Sequence, residues 1–348
     1  MNKMRIETLN PIIDDRWMNF ISSHPDSSIF HHPAWLKVLK EQYKFKVFLI
    51  CLIDGNGVLK GGIPFCEVLT ITRQKKWISL PFSDMCYPLY KDEETLNQLQ
   101  FYLADQKKKD LIPDIEIRSP LNNIYSDNQK LSYVKHVIRL INNPDLIYKT
   151  FSKSRVRETI SQSLRRGVSV RFCDNKQDLM KFYNLLISTR RRLGTPVQPK
   201  NFFYLIWDQL IEKRLGFILL AYSENKLISG VLYLHFNGTL TAKYNGSDHK
   251  YWRLRANNLI YWHSIKWGCE NGFKIFDFGR TDIDNRNLRD FKNGWGTEET
   301  NLHYSYFPTP KESHLFKFVS NKIVQPIIKY SPPLFCRLSG ELLYKYFP

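Results

Sequence analysis

One order of secondary-structure elements is predicted twice in this chain of 348 residues, and it restricts the possible folds. Each copy is a β-hairpin followed by a strand, a helix and a strand, with the hairpins marked by glycine- or asparagine-containing turns between apolar segments. The first copy is predicted at residues 45–71, 76–82, 93–109 and 113–118. The second is predicted at residues 216–236, 239–247, 256–272 and 273–279. A repeated unit of this kind indicates two α/β domains with mixed sheets.

The sequence therefore predicts an α/β (α+β) protein in three parts. We expect a first domain at residues 1–149, a second domain at 150–310 and a helical C-terminal tail at 311–348. The tail mixes apolar and basic residues, so it is compatible with a membrane surface, where its lysines would meet anionic lipid. The alternative is a helix packed on the second domain, which the tail's interrupting prolines favour.

Composition limits the class of protein and of partner. Hydrophobic residues make up 43% and aromatic residues 14% of the chain, as expected for a globular protein. The formal net charge of +18 favours anionic partners, namely phosphate groups, nucleic acid or an anionic membrane surface. The alternative is that the charge serves solubility alone.

Several kinds of protein lack support in the sequence. The six cysteines have no Cys-x-x-Cys spacing and most lie in apolar segments, which predicts buried free thiols, and the histidines have no zinc-binding spacing, so no metal is implied. The first residues contain no apolar signal-peptide core, and no run of apolar residues is long enough to span a membrane. We therefore expect a cytoplasmic protein.

The segment 276–279 contains Asp-Phe-Gly, a triplet that holds magnesium in protein kinases. A kinase also needs a glycine-rich phosphate loop, a strand lysine in a Val-Ala-Ile-Lys setting and a His-Arg-Asp loop upstream, and the sequence contains none of them. We interpret Phe276–Gly279 instead as the last core strand of the second repeat, which leads into the polar, arginine-rich loop that follows.

The start of the predicted helix at 256 is a candidate phosphate site. Acyltransferases of the N-acetyltransferase (GNAT) type have the order of elements predicted here. They bind pyrophosphate through free backbone N–H groups at the start of a helix that follows a central strand. Here Arg253 and Arg255 precede the helix and Ala256 and Asn257 open it, so these four residues are predicted to bind an acyl donor's phosphates. The equally weighted alternative is two solvated arginines on a loop.

At this point a resemblance can be stated. The chain resembles the Fem-type (FemABX) aminoacyltransferases, which carry two GNAT-like domains, and is most similar to the FemAB-related branch associated with exosortase (PEP-CTERM) and exopolysaccharide loci, with a BioF2-like acetyltransferase domain. The matching segments are SIFHHPAWLKVL, GGIPF, SLPFSD, SRVRETISQSLRRGVSV, RRRLGTPVQPKNFF, KYNGSDHKYWRLRANNLIYWHSIKWGCENG, FDFGRT and DFKNGWG.

The resemblance implies roles for residues near the end of the second repeat. In Fem-type enzymes the pair corresponding to Phe291 and Lys292 lies where acceptor and donor meet, which implies that Lys292 stabilises the developing oxyanion. Asp277 and Arg280 are expected at the edge of the same cleft. Without the resemblance, a lysine facing solvent beside a core phenylalanine would be favoured.

The resemblance also implies an acceptor site. Lys37 matches a lysine that binds acceptor diphosphate. Lys200 and Tyr204, at i and i+4 of a predicted helix, stand where the family has an arginine and a tyrosine with the same role. Lysine lacks the bidentate fork of arginine, which favours an acceptor different from that of the family. Arg192 is a further substrate-binding candidate. Ordinary surface charge is the alternative for Lys37 and Arg192.

Two carboxylates are candidates for the base that takes the amine proton. Asp84 follows a strand of the first repeat and is the first choice, and Asp277 is the second. The alternative for Asp84 is a turn residue that bonds its own backbone. An amine that attacks a thioester needs little assistance, so a base is not essential.

We therefore predict an acyltransferase that moves an acyl or aminoacyl group to an amine of a diphosphate-bearing peptidoglycan-type or exopolysaccharide precursor. No tightly bound cofactor is expected; the donor is acyl-CoA or aminoacyl-tRNA. The long coiled-coil insertion of tRNA-binding Fem enzymes is missing, which weakens the tRNA alternative. The runner-up from another class is a non-catalytic nucleic-acid-binding protein, which the net charge permits.

Overall fold

The computed structural model describes residues 4–121, 129–308 and 324–346. The chain forms two compact units: the first holds residues 1–132, 302–312 and 345–348, and the second holds residues 133–301 and 313–344. This is a geometric division, and the domain ranges predicted above stay a prediction. The predicted α/β class with mixed sheets is confirmed.

The first unit contains a mixed sheet and three α-helices. Its sheet order is β1-β2-β3-β4-β6-β13, with β5 beside β3, and β4 and β6 are the parallel pair. The strands are β1 (Arg5–Leu9), β2 (Lys46–Ile53), β3 (Leu59–Leu69), β4 (Lys75–Ile78), β5 (Leu89–Tyr90), β6 (Asp114–Ile117) and the last residues of β13 (Glu298–Phe307). The helices are α1 (Asp15–Ser23), α2 (Pro33–Tyr43) and α3 (Glu93–Lys108).

Local sequence explains these elements. The β2–β3 turn is closed by Asp54, whose carboxylate accepts the backbone N–H groups of Asn56 and Val58, and Gly57 supplies the positive φ of 79°. Helix α3 begins after Asp92, whose side chain accepts the N–H of Thr95 at 2.8 Å, and it has glutamates in its first turn and lysines in its last. Both the hairpin and the helix were predicted at these positions.

The second unit contains a six-stranded sheet with helices on both faces. The order is β7-β12-β11-β10-β9-β8, in which β11 and β12 are parallel and the other neighbours antiparallel. Its strands are β7 (Gln129–Arg139, from Tyr133), β8 (Val168–Phe172), β9 (Gly216–Ser223), β10 (Lys226–Phe236), β11 (Thr239–Ser247) and β12 (Ile275–Asp282). Its helices are α4 (Pro144–Thr150), α5 (Glu158–Arg165), α6 (Lys176–Arg192), α7 (Lys200–Ile206), α8 (Ala256–Glu270), α9 (Arg286–Asn293), α10 (Gln325–Tyr330) and α11 (Pro333–Leu343).

Strand β10 separates the two helical layers because its successive side chains point to opposite faces. On one face Val231 and Tyr233 pack in a core with Ile265 of α8. On the other face the strand approaches α6 so closely that a Cβ on Gly230 would meet Phe182 at 2.7 Å. Glycine is therefore needed where α6 crosses the sheet.

One detail of the predicted α8 is wrong. The sequence places His263 on the same face as Leu259 and Ile260, but His263 is exposed whereas Leu259 and Ile260 are buried. The buried side of α8 instead includes Tyr261 and Ile265, because the helix packs against the sheet along that side. The prediction that the cysteines are buried free thiols is confirmed for all six.

The described part of the tail, residues 324–346, includes α10 and α11, which pack against α6. Cys336 and Ser339 are buried on the inner side of α11. In the ranges that the structure describes, no helix combines the length and the apolar character required to cross a membrane.

A buried histidine in the first unit makes stability depend on pH. His31 is fully buried, its Nε2–H donates to the carbonyl of Tyr87 at 2.9 Å and its Nδ1 accepts the N–H of Ser28 at 3.0 Å, so the ring is neutral. Burial lowers the pKa of His31 from 6.5 to about 4. The resulting stabilisation is complete above the unfolded-state pKa and is lost as the pH falls towards 4.

We expect replacement His31→Gln, which cannot titrate, to flatten this pH dependence. The lowered pKa of His31 contributes about 3 kcal/mol to the difference between neutral pH and a pH below about 4. Urea unfolding of both proteins across that range measures the effect. An equally steep acid loss in the variant would contradict the assignment.

Candidate active site

The cleft of the second unit begins where two parallel strands stop pairing. The ladder joins Thr239–Thr241 of β11 to Ile275–Asp277 of β12 and ends there, although both strands continue. Beyond the ladder a cleft of about 390 Å³ is lined by β11, β12 and the helices around them. Its lining residues include Ala242 to Asn245 of β11 and Phe278 and Arg280 of β12.

The charge of this cleft has one sign. Four cationic side chains line it, and no aspartate or glutamate is among the described residues that line it. The cations are Arg192, Lys243, Arg280 and Lys292. Tyrosine, tryptophan and phenylalanine side chains form much of the remaining wall. The cleft is therefore suited to an anionic ligand that also carries apolar or aromatic surface.

Lys292 has the most constrained of these ammonium groups. It lies on α9, is only 4% exposed, and donates from Nζ to the carbonyl oxygens of Gly279 at 2.7 Å and Arg280 at 3.3 Å. Backbone carbonyls therefore fix the position of the ammonium at the cleft wall. The alternative of a lysine facing solvent does not describe this side chain.

An aromatic group packs beside Lys292. The ring of Phe291 meets Tyr261 edge-on, with centroids 5.9 Å apart, and Tyr261 stacks on Phe278 at 5.2 Å. Burial raises the pKa of Tyr261 to about 12, although a hydrogen bond with Asn245 acts in the opposite direction. Tyr261 thus keeps its proton at neutral pH, and its hydroxyl is hydrogen-bonded with Asn245 in the cleft wall.

Arg192 enters the cleft from the end of α6. Its guanidinium lies over the ring of Trp252, 4.6 Å from the centroid, and burial lowers its pKa. The neighbouring Thr189 holds α6 to the end of β11, since its hydroxyl accepts the N–H of Ser247 at 2.9 Å and donates to the Ser247 carbonyl at 3.2 Å. These contacts position the guanidinium of Arg192, which was predicted to bind substrate.

A smaller cavity of about 230 Å³ adjoins the cleft at the start of α8. It shares Ser247, Trp252, Asn257 and Phe291 with the cleft. It is also lined by Arg255 and Ala256 and by Asp248, whose carboxylate accepts the N–H of Lys250 at 3.0 Å. Arg255 has a left-handed backbone (φ 58°), and no side chain caps the helix. This helix start, with Arg255 beside it, is suited to a phosphate group.

Behind Lys292 lies a buried chain of charged and polar groups. His136 of β7 is fully buried, and its Nε2 lies 2.8 Å from a carboxylate oxygen of Glu299. Glu299 in turn accepts two hydrogen bonds from Arg289, at 2.6 and 3.1 Å. Burial is the largest cause that lowers the pKa of His136, the charge of Lys292 lowers it further, and Glu299 raises it. The imidazole is therefore neutral at neutral pH, and it feels both the ammonium of Lys292 and the carboxylate of Glu299.

The predicted site residues of the second unit divide into two groups. The structure brings Arg192, Arg280, Phe291 and Lys292 together around the cleft and Arg255, Ala256 and Asn257 around the adjoining cavity. Four other candidates do not line either space: Arg253, Lys200, Tyr204 and Asp277.

Asp277 has a different place from the one expected. Its carboxylate lies 3.2 Å from the ammonium of Lys135 and accepts the N–H of Gly279 at 2.8 Å. It is buried, and it alternates along β12 with Phe278, which faces the cleft. The structure thus supports a role for Asp277 in shaping the strand and does not bring it to the cleft as a base.

The other candidates outside the cleft have identifiable contacts. Arg253 is exposed on the turn His249–Leu254, and its carbonyl accepts a hydrogen bond from Arg166. The ammonium of Lys200 lies over the ring of Tyr204, 5.2 Å from the centroid, which confirms their shared helix face.

Lys37 and Asp84 belong to the first unit. The ammonium of Lys37 on α2 lies 3.7 Å from Glu41, one helical turn away. Asp84 is partly exposed, and its backbone carbonyl accepts the hydroxyl of Tyr304 at 2.6 Å. Their predicted roles in acceptor binding and base catalysis stay predictions.

Sequence patterns did not indicate four of the residues that line the cleft, Lys243, Asn245, Trp252 and Tyr261, or the pair His136–Glu299. Lys243 and Asn245 lie in β11, which the hydrophobic pattern predicts to be a core strand. They line the cleft because the β11–β12 ladder ends before them. A lysine inside an otherwise apolar strand is the one signal that could have identified Lys243.

Comparison with known proteins identifies the second unit. A model of the acetyltransferase (GNAT) domain family matches residues 152–293, the segment that contains the cleft and Lys292. The second unit carries a GNAT acetyltransferase domain. The prediction that the chain is an acyltransferase is confirmed by this domain. A sequence search of curated proteins found no match.

Solved structures extend the likeness beyond the GNAT domain. FemX is 16% identical with a TM-score of 0.65, over 90% of this chain and all of that one. The C-terminal domain of a protein named as a lysylphosphatidylglycerol synthetase from Agrobacterium fabrum is 10% identical with a TM-score of 0.54, over 85% and 91%. L-PGS from Bacillus licheniformis is 12% identical with a TM-score of 0.53, over 93% and 99%.

At these identities the structural likeness shows the fold. The chain shares the fold of FemX, so the predicted resemblance is confirmed at the level of the fold. The exosortase-associated branch stays a prediction.

The charge of Lys292 can be tested without a substrate. Because that charge lowers the pKa of His136 and Glu299 raises it, we expect Lys292→Met to raise the pKa of His136 and Glu299→Gln to lower it. Histidine-labelled NMR titration measures both shifts, with the resonance assigned from a His136→Gln variant. Glu298→Gln is the matched control, since Glu298 pairs with Arg139 at an exposed position. Unchanged titration in all variants would contradict the arrangement.

Proposed function

We propose that the protein transfers an acyl or aminoacyl group to an amine of an anionic cell-envelope precursor, a peptidoglycan-type or exopolysaccharide intermediate that carries diphosphate. The observation that carries the proposal is the cleft of the GNAT domain, whose charged lining residues are all cationic. Such a cleft attracts a substrate with phosphate or carboxylate groups. The similarity to FemX supports a substrate of the glycopeptide class.

The proposed reaction is attack of an amine on a carbonyl carbon. The amine nitrogen forms a bond to the carbonyl carbon of the donor, and the carbonyl oxygen becomes an oxyanion. The ammonium of Lys292, held by two backbone carbonyls, stabilises that charge. When the intermediate collapses, the bond from carbon to the donor's sulfur or oxygen breaks, and the amine's surplus proton leaves.

The lining of the cleft bears on where that proton goes. The described residues that line the cleft include no aspartate or glutamate that could serve as the base. We propose that the amine attacks in its unprotonated form and that the surplus proton of the adduct then passes to water. Tyr261, which stays protonated, would donate a hydrogen bond to the leaving group. Asp84 remains the candidate base from the first unit.

The donor is acyl-CoA or aminoacyl-tRNA, and a different part of the surface near α8 supports each of these two donors. The uncapped start of α8 with Arg255 suits the pyrophosphate of a CoA ester. The neighbouring surface suits a polyanion, because it carries six exposed cationic side chains. These are Lys153, Arg155, Arg165, Arg166, Arg253 and Arg255. Arg166 donates to the carbonyl of Arg253, which joins α5 to the start of α8.

We retain the predicted cytoplasmic location, where both donors and envelope precursors are made. A non-catalytic nucleic-acid-binding protein remains the alternative function. It is supported by the same cationic surface and by the net charge of +18. It predicts RNA binding that falls steeply with salt and no transfer of any group.

A transfer assay read by mass spectrometry tests the proposal and separates the donors. Purified protein is incubated with a pool of envelope precursors and either acetyl-CoA or a mixture of charged tRNAs. We expect a precursor to gain the mass of an acyl or aminoacyl group in one arm, and that arm identifies the donor. Strong RNA binding with no mass gain in either arm would favour the non-catalytic alternative.

Once the donor is known, Lys292→Met should lower the rate of transfer about a hundredfold or more, since a fixed donor to the oxyanion is lost. Lys266→Met is the matched control, because Lys266 is exposed on α8 and pairs only with Glu270, at 3.8 Å, in the described part of the chain. Full activity of Lys292→Met on the natural acceptor would remove Lys292 from the mechanism.

A further inference from the structure

The helix pair α10–α11 presents an apolar surface that the proposed reaction does not use. Seven large apolar side chains of this pair are more than 40% exposed, whereas exposed apolar residues elsewhere occur mostly singly or in twos. They are Ile327, Tyr330, Leu334, Phe335, Leu338, Leu342 and Leu343. Leu334, Leu338 and Leu342 follow at steps of four residues, so they form one stripe along α11.

The opposite side of α11 is fixed to the GNAT domain, which determines the direction of the stripe. Cys336 and Gly340 are buried against the segment after α6, where the thiol of Cys336 donates to the carbonyl of Thr195 at 3.5 Å. A Cβ on Gly340 would collide with the carbonyl of Val197. The guanidinium of Arg191 donates to the carbonyl of Ser331 at 2.5 Å, between the two helices. The apolar stripe therefore faces away from the domain.

Charge indicates what covers the stripe. The helix pair and the two arginines of α6 that precede Arg192 carry four cations and one carboxylate, and that carboxylate lies 3.7 Å from Arg337. The cations are Lys329 and Arg337 on the pair and Arg190 and Arg191 on α6, and the carboxylate is Glu341. An apolar stripe bordered by arginine and lysine is the pattern of helices that lie in the interface of an anionic bilayer, where apolar residues enter the acyl region and cations meet headgroups.

We propose that α10 and α11 bind the surface of an anionic lipid bilayer. The pair does not need to span the membrane, since each helix lies along the domain with one face already buried. The same pair packs on the segment after Arg192, and Arg192 lines the cleft. Docking would therefore bring the cleft close to a lipid surface. The statement about the cleft rests on the proposed function, whereas lipid binding itself does not.

Vesicle flotation tests the proposal with the full-length protein. We use vesicles of phosphatidylcholine alone and of phosphatidylcholine with phosphatidylglycerol. We expect binding to the anionic vesicles that weakens with salt, and the triple variant Leu334→Gln, Leu338→Gln, Leu342→Gln should bind at least about tenfold more weakly. Circular dichroism and thermal unfolding show whether the variant keeps its fold.

The matched control replaces three exposed apolar residues of the first unit, Ile13→Gln, Ile71→Gln and Leu111→Gln, which are 76%, 53% and 66% exposed. This control should bind vesicles like the unchanged protein. Equal binding by the α11 variant would overturn the proposal. An absence of binding to either kind of vesicle would also overturn it. If light scattering then showed that the unchanged protein is an oligomer and the α11 variant a monomer, the stripe would be assigned to contact with a second copy of the chain. Because vesicle flotation uses no donor or acceptor, a negative result there does not affect the transfer assay, and the two proposals can fail separately.

Discussion

The site depends on the short length of one β-ladder. Strands β11 and β12 pair through three residues each and then continue without pairing, and the cleft occupies the space beyond the last pair. Had the ladder continued, the backbone of Ala242–Asn245 would face a neighbouring strand and leave no room for a ligand. The elements around it adapt to this opening: α9 brings Lys292 to the carbonyls of β12, and α6 brings Arg192 to the end of β11.

Burial and charge give this cleft a definite chemical character. An ammonium that is almost fully buried is costly unless polar groups surround it. Here two carbonyl oxygens accept hydrogen bonds from it, and His136, whose pKa its charge lowers, lies 2.8 Å from the carboxylate of Glu299. The result is a positive centre whose position is determined by main-chain atoms, so it would require little reorganisation if negative charge developed on a bound substrate. The charged residues among the described lining of the cleft are all cationic.

Much of this arrangement could be predicted from sequence, and the limits have physical causes. The hairpin at Asp54, helix α3 and the helix that begins at Ala256 follow from local signals, namely turn residues, an N-cap and helical periodicity. Phe291, Lys292, Arg192 and Arg280 were named through the family resemblance, and they converge. Lys243 and Tyr261 were missed because sequence periodicity gives the face of a strand or helix but not the residue at which a ladder ends. Asp277 was placed at the cleft, yet its position in the strand's alternation directs it to the other face.

The contact between the tail and the segment after α6 has a thermodynamic consequence. Gly194 has a positive φ of 70°, and a Cβ there would meet the carbonyl of Gln325 at 2.7 Å, so the first turn of α10 closes directly over the chain that leaves Arg192. Whatever stabilises the packed form of that segment would also alter the free energy of binding for a ligand that contacts Arg192 in the cleft. Because such coupling is reciprocal, occupancy of the cleft would in turn favour the docked tail. Two surfaces that share no residue can thus influence each other through one short stretch of backbone.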